Sequence, residues 1–226
     1  MVISTKEIMK NITAITLTIG ALVLSACGSK TDPNEKNFGA AMNQYFEKKG
    51  DLCLGTEKWP VVVTKMDEII AKSFPKGGLS RMEALQAVGL VRGEDVDMET
   101  KAGAKFKVKH YSLTDAAKPF IHTKDVNRTG LDGTTTVQQT DICWGKKRLE
   151  KIVKWEGPMK LGDYQEAKLT YTYKINDVAP WANNPDIQAA FRGVKSTLDG
   201  AGKTEIKHGV KLTSEGWEAR GLDSAF

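Results

Sequence analysis

The chain has 226 residues, 40% of them hydrophobic and 27% charged, with 21 Gly and 7 Pro. That composition excludes collagen, coiled coil, mucin and polytopic membrane protein, and seven Phe, five Trp and five Tyr are enough for a buried core. The net charge of +5, from 33 basic and 28 acidic residues interspersed along the chain, describes a mildly basic mixed surface rather than a nucleic-acid groove.

Met1 to Asn11 carry Lys6 and Lys10, and Ile12 to Leu24 are uncharged, the n-region and h-region of an export signal. Those 13 apolar and small polar residues are too few to cross a bilayer as a helix. Leu24-Ser25-Ala26-Cys27 follows at once and resembles the lipobox of bacterial prolipoproteins: a branched apolar residue, two small residues, then Cys. The resemblance implies removal of residues 1–26 and lipid on Cys27, with a second acyl group giving two-signal membrane attachment. The competing reading is a plain secretory signal with a chance Cys. Gly28 rather than Asp after the Cys goes, in enterobacterial lipoproteins, with transport to the outer membrane, so the expected location is its periplasmic face. Residues 27–37, whose first ten lack any large apolar residue, read as a flexible tether, and residues 38–226 as one folded body.

In that body Phe38, Ala41, Met42, Tyr45 and Phe46 recur at helical spacing and end at Lys48-Lys49-Gly50, which predicts an amphipathic helix. Met66, Ile69, Ile70 and Phe74 predict a second, stopped by Pro75. Ser80 with Glu83 reads as a capping box opening a third helix, through Met82, Leu85 and Val88 to Gly89. Lys105 to Tyr111 and Ala167 to Ile175 alternate as strands with one buried and one wet face. Gly157-Pro158, Asn176-Asp177 and Thr129 to Thr136 read as turns. Asn184-Pro185 caps a fourth helix, with Ile187, Ala190, Phe191, Val194 and Leu198 on one face. Helices with antiparallel-type strands and no βαβ alternation predict an α+β fold.

Two strings recur in the same order: Asp51-Leu52-Cys53-Leu54-Gly55 as Asp141-Ile142-Cys143-Trp144-Gly145, and Lys109-His110-Tyr111-Ser112-Leu113-Thr114 as Lys207 to Thr213. They suggest two divergent copies, residues 51–121 and 141–222, each closing on a Leu-Thr that opens a short helix with Thr114 or Thr213 as N-cap. Chance matching of short polar strings is the competing reading.

Three cysteines occur, and lipid on Cys27 leaves Cys53 and Cys143 as an even pair in an exported chain, which reads as one disulfide joining the copies; the alternative is two buried thiols. His110 and His208 occupy matching positions, where a shared metal site is the sharp reading, yet neither motif brings an acid, so a structural imidazole or an exposed strand-end residue is the reading adopted and no metal or cofactor is expected. No Gly-x-Ser-x-Gly, Ser-x-x-Lys, His-Glu-x-x-His or Walker loop occurs. Glu94-Asp95 and Asp67-Glu68 read as acids in solvated helix or loop contexts, but a glycosidase-type carboxylate pair needs no sequence signature, and an unrecognised pair keeps an envelope hydrolase as the alternative function. Ser80 to Leu85, Gly89 to Val91 and Leu113 to Lys118 resemble the helix, wing and following helix of winged-helix DNA-binding domains, over less than a fifth of the chain; Arg81 and Lys105 to Lys109 read more simply as solvated, and no nucleic-acid partner is expected. Trp181, between Pro180 and Asn183-Asn184, reads as a loop aromatic offered to a ligand. The sequence thus predicts a lipid-anchored envelope lipoprotein with a noncatalytic binding module, its partner an envelope protein or ligand of unspecified kind.

Overall fold

Asn34 opens the first helix, α1 (Glu35–Lys49), by accepting the Asn37 N–H on its side chain at 2.9 Å. In the computed structural model, which describes residues 29–56, 58–73, 77–101, 103–130 and 133–223, α1 buries Phe38, Ala41, Met42 and Phe46, the face that the spacing predicts. The export signal, the lipobox and Pro75 lie outside the described residues. Gly50 is the C-cap of α1, and no side chain fits there: a Cβ would stand 2.3 Å from Phe46 O and 2.6 Å from Lys147 O. Upstream, the segment expected to be a free tether is folded onto the body from Ser29 onward. Asn37 Nδ2 donates to Ser29 O and Asp32 O, both at 2.8 Å, and Trp217 Nε1 donates to Thr31 O at 3.0 Å.

The chain continues through β1 (Asp51–Cys53), β2 (Val61–Val63), α2 (Lys65–Ser73), α3 (Gly78–Ala87), β3 (Val91–Glu99) and β4 (Lys105–Leu113). A 3-10 turn (Asp115–Phe120) leads to β5 (Ile121–Gly130), the long β6 (Gly133–Leu161) and β7 (Tyr164–Asn176). A second 3-10 turn (Pro180–Asn183) precedes α4 (Pro185–Ala190), α5 (Arg192–Gly200), β8 (Ile206–Thr213) and β9 (Gly216–Ala219). All strand pairs are antiparallel, in one sheet of order β1-β6-β7-β8-β9 with β5 also on β6, and a second of order β2-β4-β3. The fold is α+β, as expected.

Two cores follow. On one, α1 covers β7, β8 and β9, burying Leu169, Tyr171, Tyr173, Val210 and Ala219, with Phe38 edge-on to Trp155 and Trp217 at 5.5 and 4.9 Å. On the other, α3, α4 and α5 pack Met82, Leu85, Ile187, Phe191 and Val194 against Ile142 and Trp144 of β6 and against the small sheet through Val63, Val91 and Tyr111. The 29 residues of β6 serve both cores, its start pairing β5 and its end pairing β7, with three register shifts against β7. Such bulges bend and coil a strand.

Several expectations are corrected. Gly157-Pro158 is no turn: Gly157, at φ +96, lies in the bulge between Glu156 and Met159, and the reversal comes after Leu161. Ser80 sits inside α3, its hydroxyl donating to Gly77 O, because the helix starts at Gly78. The fourth helix is two, broken at Phe191 (φ −117, ψ 80). In β7, Thr170 and Thr172 are buried as well as the apolar residues, Thr172 donating to Glu150 Oε2 at 2.7 Å. Thr213 caps nothing; it ends β8 at a hairpin, whereas Thr114 does precede a 3-10 turn but donates its hydroxyl to Gly89 O. Cys53 sits on a three-residue strand and Cys143 within a 29-residue one, and His110 and His208 belong to different sheets, so the backbone does not repeat the suggested duplication.

Candidate functional site

The three helices of the second core stop short of β1 and leave a cleft of about 920 Å³. Leu52 of β1, Trp144 of β6, and Phe191 and Val194 at the α4–α5 break form its apolar lining. That break matters, because it turns the Phe191 ring inward while releasing Arg192 and Gly193 to the rim. The Arg81 guanidinium, from α3, lies 5.5 Å from the Phe191 ring centroid, a cation–π placement that holds it over the cleft. Arg192 adds a second cation, and Asp51 is the one acid among the described lining residues. A volume of this size with an apolar floor and few charged groups is typical of small-molecule sites. Two guanidiniums beside apolar walls suit a ligand with an anionic head and an apolar body.

Cys53 and Cys143 form a disulfide on the cleft wall, as expected from the even cysteine count. They are paired across β1 and β6, just past the register shift between Leu52 and Cys53, with Cα atoms 3.8 Å apart, closer than the 4.4–6.8 Å usual for bridged cysteines. Asp141 ties down the segment after β1, accepting from Gly55 N at 2.9 Å and Thr56 N at 3.1 Å. Asp51, the matching acid, instead stands 3.1 Å from His122 Nδ1. His122 brings a ring nitrogen within 4.8 Å of both cysteine sulfurs, but the sulfurs are bonded to each other, and a bridged pair offers no thiolate to a cation. The grouping of imidazole with cysteines is therefore His122 with the disulfide, not His110 with His208. His208 Nε2 lies 2.9 Å from Arg220 O, and His110 is buried in the small sheet at Nε2 without a hydrogen-bond partner.

Trp181 is not a loop aromatic offered to solvent. It is 8% exposed, packed edge-on to Phe120 at 5.7 Å, and its Pro and Asn neighbours shape a buried 3-10 turn. Neither acidic pair lines the cleft. Asp67 caps α2, accepting from the Thr64 N–H at 2.8 Å and its hydroxyl at 2.7 Å, and these bonds hold its carboxyl below the ordinary carboxylate range. Glu68 pairs with Lys65 at 2.7 Å. On β3, Asp95, Asp97 and Glu99 stand opposite Lys109, Lys107 and Lys105 of β4, an opposite-charge ladder on one face that sets the hairpin register. The helix, hairpin and short-helix order implied by the winged-helix likeness is present at α3, β3–β4 and the first 3-10 turn, yet the lysines of its wing face acids across the ladder.

Arg81, Phe191 and Arg192 are the residues that sequence reasoning missed as a group. Arg81 has the pattern of a solvated helix face and Phe191 that of a core position, and only the break after Ala190 brings them together. No known family, curated protein or solved structure matches the chain.

Proposed function

We propose that the protein is an envelope lipoprotein, held by lipid on Cys27 at the periplasmic face of the outer membrane, whose body is a noncatalytic module binding an anionic amphiphile in the Arg81–Phe191 cleft. The observation that carries the ligand class is the pair of guanidiniums, Arg81 and Arg192, over a floor of Leu52, Trp144 and Phe191. The disulfide supports export, since such bridges persist in oxidising compartments. A glycosidase-type hydrolase would need two facing carboxylates, and the cleft lining contributes Asp51 alone among its described residues.

Two measurements test this. Membrane fractionation of the full chain beside Cys27→Ala tests the anchor: the variant should move to the soluble envelope fraction, and equal retention would refute lipid attachment at Cys27. A dansyl-tagged undecanoic acid tests the cleft. Arg81→Ala with Arg192→Ala should weaken its binding at least tenfold, roughly one lost charge-assisted contact. Unchanged binding, or no binding by the unsubstituted chain, would refute the ligand class.

A further inference from the structure

The hairpin joining β6 to β7 carries the two most exposed large apolar side chains among the described residues, Leu161 at 82% and Met159 at 73%, beside Tyr164 at 45%. All three share one face. Met159 and Leu161 are two residues apart on β6, and the register sets Leu161 opposite Tyr164 and Met159 opposite Glu166. Glu166 adds no unanswered charge to this face, because it accepts from Tyr164 Oη at 2.6 Å and from Arg220 Nη1 at 3.0 Å. Polar residues would serve a solvated hairpin equally well, so this concentration of apolar surface on a tip calls for a cover.

The N-terminal segment locates that cover. Glu166 of β7 pairs with Lys211 of β8, and two further residues along each strand reach Tyr164 and Thr213, so the β6–β7 and β8–β9 hairpins end level at one edge of the sheet. Lys30 O lies 3.1 Å from where a Cβ on Gly216 would stand, and Thr31 O accepts from Trp217 Nε1, which fixes the first described residues on that same edge. Lys30 is three chain steps from Cys27, a reach of at most about 11 Å. From β9 to β6 is three strand spacings, roughly 15 Å. A surface that holds Cys27 would therefore meet the end of the sheet that carries the exposed tip.

We infer that the β6–β7 hairpin tip, through Met159, Leu161 and Tyr164, inserts into the interfacial zone of the same bilayer leaflet that receives the lipid on Cys27. The inference rests on the lipoprotein reading. Met159 to Leu161 spans about 7 Å along the strand, which matches the 5–10 Å to which interfacial elements bury their apolar face. Tyr164 has the apolar body and polar end that suit the headgroup level, and Lys160 points to the opposite strand face, where its stem lets the ammonium reach phosphate. Lipid and tip together give two attachments at one end of the sheet, and these fix the orientation of the body as well as its location.

The test uses the full mature chain in phosphatidylethanolamine–phosphatidylglycerol vesicles, with Leu161→Cys labelled by a nitrobenzoxadiazole dye and lipids bearing acyl-chain nitroxides. Lys124→Cys on β5, labelled likewise, is the control. At least twofold stronger quenching at 161 than at 124 is expected. Equal quenching at both sites while the protein stays vesicle-bound would overturn the tip insertion and leave the anchor standing. Shielding of the dye at 161 without quenching, with crosslinked dimers, would mean that a second copy covers the tip, and would overturn it too. In a Cys27→Ala background, bound protein should fall at least tenfold, what remains should still be quenched at 161, and adding Met159→Asp should abolish that remainder. Undiminished binding with quenching at 161 would instead remove the lipid anchor and retain the tip.

Discussion

Reducing the disulfide is the sharpest perturbation of the fold, because the bridge closes a long loop. Cys53 and Cys143 are 90 residues apart, and the chain-entropy treatment assigns such a loop about 4.6 kcal/mol of stability at 25 °C. That is a large share of the 5–15 kcal/mol typical of a folded domain. The consequence is local as well as global: β1 has three residues and a single partner strand, β6, so without the bridge it is held by few backbone bonds. Since β1 supplies one cleft wall, the cleft should loosen before the rest of the body. Urea unfolding of the oxidised chain beside the same chain in a phosphine reductant measures the total, and Cys53→Ala with Cys143→Ala separates bridge loss from side reactions of free thiols. A difference of about 3–5 kcal/mol is expected between bridged and unbridged chains, with amide exchange accelerating first at Asp51 to Leu54. A difference below about 0.5 kcal/mol would refute the loop-closure argument.

Phe38→Ala should destabilise by about 3–5 kcal/mol, since Phe38 is fully buried between two indoles, and should change the fluorescence of Trp155 and Trp217; a loss under about 1 kcal/mol would contradict the packing. Burial, reinforced by neighbouring Tyr45 and Tyr173, pushes Tyr171 up from 10.0 to about 12. Its contribution is therefore fully present below pH 10 and lost as pH rises toward 12, about 2–3 kcal/mol in all, and urea midpoints at pH 9 and 11.5 should show that part of the loss vanish in Tyr171→Phe. Asp67 behaves oppositely: its hydrogen bonds from Thr64 lower its carboxyl, so the cap is intact above 3.8 and is lost as pH falls through the lowered value. Asp67→Ala should raise amide exchange across α2 at neutral pH and flatten the acid-induced rise seen in the unsubstituted chain.

The elements legible in the sequence are those whose apolar residues keep one period throughout. Helix α1 shows one covered face to one sheet, and β7 sets Ala167, Leu169, Tyr171 and Tyr173 in alternation toward α1, although Thr170 and Thr172 between them are covered too and Lys168 and Lys174 are left exposed. Asn184-Pro185 is local chemistry and places α4 correctly. The strand β6 has no such signature, because the face it must cover changes along its length: Ile142 and Trp144 serve the helices of the cleft, Leu149 and Ile152 the core under α1, and Met159 and Leu161 face outward. Gly-Pro is an equally good local signal for a turn and for a bulge, and what decides at Gly157 is whether β7 continues to pair, a long-range fact. The break at Phe191 was equally hidden, since Ile187, Ala190, Phe191 and Val194 keep helical spacing and are all buried although the backbone between them is not one helix. Sequence periodicity reports which side chains are covered and not what covers them, which is why Trp181 could be read as exposed and Arg81 as merely solvated.

The same long strand relates the two ends of the molecule. Trp144 lines the cleft and Leu161 stands at the hairpin tip, 17 positions later on β6, a separation on the order of 50 Å along an extended strand before its bulges and coiling shorten it. A body attached through Cys27 and steadied at Leu161 would then carry the Arg81–Phe191 cleft well clear of the headgroups, facing the aqueous side rather than the bilayer. A cleft so placed samples soluble or partner-delivered ligand, not lipid drawn directly from its own leaflet. Binding of the dansyl-tagged acid to the vesicle-anchored chain should accordingly follow the free aqueous concentration of probe and be unaffected by the acyl-chain length of the surrounding lipid.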